Sequence, residues 1–113
     1  MGIIDIDVNA VPYKFEINLS NKIYTIQVNY NVTFDFFTID LSLAGKELVK
    51  GEKLVLNQFL FRDISEDKSY NLNEDFPSEL LFVGSADDNV KRVSFDNLGE
   101  SVFLYYADRA EVT

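Results

Sequence analysis

Side-chain oxygens recur at alternate positions in Asp5-Ile6-Asp7-Val8-Asn9, and Glu16 stands twelfth counting from Asp5. Oxygen donors at positions 1, 3, 5 and 12 are the spacing that surrounds a hard cation such as calcium. Two residues argue against such a loop. The sixth position, where glycine makes the sharp turn, is Ala10, and the eighth is Pro12, which carries no backbone N–H. An edge strand with aspartates on its open side explains the same residues more simply.

Carboxylates also cluster as Asp63, Glu66 and Asp67, and again as Asp87-Asp88. Two carboxyl groups at a set separation do the acid and base work of glycoside hydrolysis. That chemistry needs burial and convergence, and both clusters sit in polar runs that read as solvated loops. The chain has no His and no Cys. Ser-His-Asp triads, Cys-His pairs, disulfides and thiolate or imidazole zinc sites are therefore excluded. No Gly-rich phosphate loop or dinucleotide fingerprint is present. We assign no catalytic, cofactor-binding or metal-ligating residue, and expect no enzyme.

Nineteen Asp and Glu against ten Lys and Arg give a net charge of −9. Nucleic acid needs clustered cations, and an anionic membrane surface repels an acidic protein, so neither is an expected partner. The charge suits solubility and docking onto a basic protein surface. No stretch approaches the ~20 apolar residues that span a bilayer as a helix. The segment Met1-Gly2-Ile3-Ile4-Asp5 lacks the pattern of a signal peptide.

The elements that would position these residues are strands. The 113 residues fit one domain, read here as 1–113, and 47% of them are hydrophobic, enough for a core. Tyr13, Phe15, Ile17 and Leu19 alternate with polar residues, as do Tyr24, Ile26, Val28 and Tyr30 after the corner Ser20-Asn21-Lys22. A period of two places each apolar set on one face, so the pair reads as a β-hairpin. Ile3 to Asn9 predicts an N-terminal edge strand ended by Pro12. From Asn31 to Leu43 the phase changes: Val32, Phe34 and Phe36 are even, while Phe37, Ile39, Leu41 and Leu43 are odd. A bulge near Phe36-Phe37 would keep both halves facing inward. Glu47 to Leu56 reads as two short strands or one with a corner at Gly51. Further strands are predicted at Gln58–Arg62, at Leu80–Val83 ended by Gly84, and around Val90, Val93 and Phe95. Ser101–Ala107 is apolar on both faces, as a central strand is. Residues 63–76 read as a polar surface loop, open to an ion or to a partner. The expected fold is all-β, a small antiparallel β-sandwich or partly open barrel of about seven to nine short strands.

Several short motifs stand in order along the chain: Val8-Asn9-Ala10-Val11-Pro12, Phe15-Glu16-Ile17-Asn18-Leu19, Tyr24 to Asn31, and Phe36-Phe37-Thr38-Ile39-Asp40-Leu41. Near the end come Phe95-Asp96-Asn97-Leu98-Gly99 and Val102-Phe103-Leu104-Tyr105-Tyr106. In that order they resemble the phage baseplate plug family, small tail proteins of contractile phages or phage-like particles. Phe36-Phe37 stands where members commonly carry Trp, and the 63–76 loop is longer and more acidic than usual. The resemblance implies a structural component of the virion tail baseplate, made in the host cytoplasm. It would dock onto hub, tube or spike proteins in one or more copies, without cofactor or catalysis. Tyr30, Asn31, Asp96, Asn97, Leu98, Gly99, Tyr105 and Tyr106 are the family-motif residues. For Asp96 to Gly99 a tight turn, with Gly99 at positive φ, is the reading ahead of direct partner contact. The alternative function is a carbohydrate- or receptor-binding β module of a tail tip. A carboxylate hydrolase ranks third.

Overall fold

In the computed structural model, which describes residues 2–61 and 75–108, the chain forms seven strands and, among the described residues, no helix. β1 (Gly2–Ile4), β7 (Val102–Ala107) and β6 (Leu80–Ser85) make one antiparallel sheet with β7 in the middle. β2 (Tyr13–Leu19), β3 (Lys22–Asn31), β4 (Phe36–Leu43) and β5 (Lys46–Lys53) make a second, in chain order. The sheets share one core. Tyr24, Ile26 and Val28 of β3 and Phe37, Ile39 and Leu41 of β4 are buried with Leu81 and Val83 of β6 and Val102 and Leu104 of β7. This is the expected all-β sandwich, with the expected edge (β1) and central (β7) strands.

The turns follow from residues that tolerate left-handed backbone. Ser20 and Asn21 (φ 56° and 63°) join β2 to β3, with Leu19 opposite Lys22. Ala44 and Gly45 (φ 52° and 82°) join β4 to β5, with Leu43 opposite Lys46. Positive φ at both positions matches the right-handed twist of the flanking strands. The first of these turns also ties the two sheets together. Ser20 N donates to Glu79 Oε2 (2.9 Å), the Ser20 hydroxyl donates to Glu79 Oε1, and Ser78 N donates to Ser20 Oγ (2.8 Å). Burial raises the Glu79 pKa, but these donors outweigh it and hold the carboxyl below its ordinary value.

Five expectations need correction. The N-terminal strand stops at Ile4. Asp7 to Ala10 is a turn closed by Asn9 N on Asp7 Oδ1 (3.0 Å) and Ala10 N on Asp7 O (3.1 Å), and the Val11–Pro12 bond is cis. The phase change before Phe37 is not a bulge. β3 ends at Asn31 and β4 begins at Phe36, so Val32 and Phe34 lie in the intervening loop, 79% and 72% exposed. The bulge sits instead in β5, a single strand through Gly51 (φ 77°), whose N–H donates to Asp40 Oδ1 (2.8 Å) while the β4–β5 register shifts. Gln58 to Phe61 is not a strand: left-handed Asn57 and Phe61 leave only bridges from Leu56 to Val83 and Phe59 to Phe82. Val90, Val93 and Phe95 belong to a run of turns rather than a strand, and β6 passes through Gly84 instead of ending there.

Candidate interaction surface

The turn Asp96-Asn97-Leu98-Gly99 is built around one amide. Asn97 Oδ1 accepts from Ser94 N (2.8 Å), Asn97 Nδ2 donates to Arg92 O (2.8 Å), and the Asn97 carbonyl accepts from Ser101 N and Val102 N. Leu98 is buried in the core, and Gly99 (φ 90°) donates to Val102 O at 2.7 Å. These contacts are internal, so Asn97, Leu98 and Gly99 shape the turn; Asp96 is exposed.

Tyr30 and Asn31 lie at the far end of β3, where the structure brings them against this C-terminal turn. The Tyr30 ring packs on Phe37 (centroids 4.8 Å) and on Phe95 (5.3 Å). Asn31 Oδ1 accepts from Phe34 N (3.0 Å) and closes the loop. The residue that joins the two regions is Asp35, which the sequence did not mark. Its Oδ1 accepts from Phe95 N and from the Tyr30 hydroxyl (both 2.8 Å). Its Oδ2 faces both Arg92 guanidinium nitrogens (3.2 and 3.1 Å). Arg92 Nη2 also donates to Asp35 O, and Nη1 to Val93 O. Asp35 and Arg92 are 57 residues apart, and nothing local in either flanking stretch announces the pairing.

The Phe95 N–H, then the Tyr30 hydroxyl and the Arg92 charge, hold the Asp35 carboxyl below its ordinary value of 3.8. In return, its hydrogen bond to Asp35 raises the Tyr30 phenol. A carboxyl with a depressed folded pKa contributes stability above its unfolded pKa and loses it as pH falls through the folded one. Asp35→Asn should therefore lower the melting temperature at pH 7. The gap to wild type should narrow as pH falls below about 4. A gap that stays constant from pH 7 to pH 3 in thermal unfolding would contradict this account.

Tyr105 and Tyr106 point to opposite sides of β7. Tyr106 packs on the core beside Gly2, where any Cβ would meet its ring at 2.4 Å. Tyr105 lies on the outer side. There Ile3, Tyr105 and Phe82 stand abreast across β1, β7 and β6, and Phe59 bridges to Phe82. Consecutive ring centroids along Phe59, Phe82, Tyr105 and Phe103 are 5.7, 5.3 and 6.2 Å apart. Ile3 (47% exposed) and Phe59 (38%) border the row, which includes no charged side chain. Phe59 and Phe82 went unnoticed because both read as core. The only signal for an outer apolar face was the two-sided pattern of Val102 to Ala107.

The acidic candidates are not brought together. Asp7 caps its own turn, while Glu16 lies on an exposed position of β2 opposite Thr25. Asp87 Oδ1 accepts from Asn89 N (2.9 Å), and Asp88 lies beside it in the same turn. Asp63, Glu66 and Asp67 fall outside the described residues. Among the described residues no group of acidic side chains is placed to hold a metal ion. Nor is any helix among them long and apolar enough to cross a membrane.

Residues 1–109 match a family model described as cyanophage baseplate Pam3 plug gp18. No curated protein matches the chain.

Proposed function

The chain belongs to the cyanophage baseplate plug family, a structural component of a phage tail baseplate, and from that premise we propose that it works by docking onto hub, tube or spike proteins, without a catalytic step. Synthesis in the host cytoplasm precedes incorporation into the virion. The observation that carries the docking mode is the outer row Ile3, Tyr105, Phe82 and Phe59. On a chain of net charge −9 this row offers a partner aromatic surface with no charge to desolvate. Aromatic residues in such uncharged patches supply much of the energy of protein interfaces.

The test is to mix the purified chain with the purified tail proteins of its own particle and measure complex formation. Wild type should bind at least one of them. Tyr105→Asp, folded by circular dichroism, should bind at least about tenfold more weakly. Equal binding by Tyr105→Asp would remove this face from the contact, and no complex with any tail protein would remove the docking mode. The same outward-facing rings favour one second reading, stacking on a sugar. Saturable binding on a glycan array, lost in Tyr105→Asp, would establish it in place of the first.

A further inference from the structure

A groove of about 250 Å³ opens between the β3–β4 loop and the segment around Arg92, and none of the rings of the aromatic row lines it. Its apolar part comes from Phe34, Phe36 and Val93, and its charged part from Lys53, Lys91 and Arg92. Seven Lys and Arg lie in the described residues: Lys14, Lys22, Lys46, Lys50, Lys53, Lys91 and Arg92. Three of the seven line this one groove, against a single lining carboxylate, Asp35, which is engaged by Phe95 N, Tyr30 and Arg92. The neighbouring Glu52 is turned elsewhere, accepting from Phe61 N. Lys53 Nζ stands 4.8 Å from the centre of the Phe36 ring, a cation held over an aromatic face. This acidic domain thus places three of its seven described cations in one concave place, beside the exposed Phe34 ring and the half-buried Phe36 ring.

The groove is also held open in advance. Asp35 belongs to one wall and Arg92 to the other, and their paired hydrogen bonds fix the two walls relative to each other. A site that need not be ordered on binding loses less of its interaction energy to entropy. Phe34 and Val32 remain outward on this braced loop.

We propose that this groove seats a protruding acidic segment of a neighbouring tail protein, with carboxylates against Lys53 and Lys91 and an apolar side chain against Phe34 and Phe36. Charge complementarity selects the occupant. The net charge of −9 opposes broad contact with an acidic surface, so the complementary element is a short projecting one. The assignment of a tail protein rests on the docking mode proposed above; the preference for a carboxylate-bearing, apolar peptide rests on the groove alone.

The first measurement is an amide NMR titration of the full chain with a capped nonapeptide alternating aspartate and leucine. Shifts should map to Phe34, Phe36, the Lys53–Leu56 run and residues 91–93. Affinity should fall about fivefold or more in Lys53→Glu/Lys91→Glu, as expected for losing exposed charge pairs. Lys91→Gln should show a smaller loss in the same direction, and keeps the test valid should the double variant perturb the fold. Absence of shifts, equal shifts with a lysine–leucine peptide, or tighter binding of oligothymidylate at the same amides would overturn the proposal. The last outcome would point to nucleic-acid phosphate instead. The second measurement repeats the tail-protein binding assay with the double variant. A weaker complex supports the groove, and an unchanged complex overturns it while leaving the docking mode intact. If wild type forms no complex, the docking mode fails, and with it the tail-protein occupant.

Discussion

Phe37→Ala should destabilise the protein by about 3–5 kcal/mol, the range for removing a fully buried phenyl ring. Phe37 is completely buried and stands opposite Tyr30 in the β3–β4 pairing. It touches Tyr30 at 4.8 Å and stacks nearly parallel on Phe95 (6.5 Å, 11°), so one ring connects the four-stranded sheet to the C-terminal turns. Removing it leaves a void that Tyr30 and Phe95 cannot fill, because Tyr30 and the backbone at Phe95 are both anchored on Asp35. In a domain of this size the melting temperature should fall on the order of 10 °C or more. Phe34→Ala, three residues away, should stay within about 0.5 kcal/mol, since Phe34 is 72% exposed. Urea or thermal unfolding of the two variants checks the pair. Similar losses in both would mean that the loop and the strand are wrongly divided between Asn31 and Phe36.

That contrast also shows where reading the chain stops short. The Tyr13–Tyr30 hairpin was legible because period-two alternation and a short polar corner are local and mutually consistent; only its margins differ, with Lys22, read as part of the corner, opening β3 and Asn31 closing it. The central place of Val102–Ala107 was legible from its two apolar faces. The phase change at Phe36-Phe37 was visible but ambiguous. A bulge and a four-residue loop shift apolar parity in the same way, and the loop's closing contacts come from Asp35, Phe95 and Arg92, far apart in sequence. Gln58 to Phe61 looked like a strand by composition, yet positive φ at Asn57 and Phe61 breaks it into isolated bridges. The interaction surface was the least legible part. An outward Phe82 on β6 and an inward Phe37 on β4 have the same side chain, and only pairing partners decide which sheet face each meets. The groove needs two walls 57 residues apart, and no pattern within either wall implies the other.

The family-motif turn gives the second large effect. Asn97→Ala should cost about 1–3 kcal/mol, because it strips both side-chain hydrogen bonds from a turn that the rest of the C-terminal region relies on. Without Oδ1, the Ser94 N–H loses its acceptor; without Nδ2, the Arg92 carbonyl loses its donor. Arg92 and Phe95 are the same residues that hold Asp35, so the variant should also loosen the β3–β4 loop. Asp96→Ala, at the exposed neighbour, should be close to neutral for stability. The comparison separates two roles for the motif. If Asn97→Ala lowers the unfolding midpoint and Asp96→Ala does not, the motif is a folding element whose value to assembly lies in the shape it holds. If Asn97→Ala leaves the midpoint unchanged but weakens tail-protein binding, the amide is a contact residue, and the hydrogen bonds to Ser94 and Arg92 contribute little. The burial of Leu98 and the positive φ of Gly99 favour the first outcome, since both tie the turn to the core rather than to a partner.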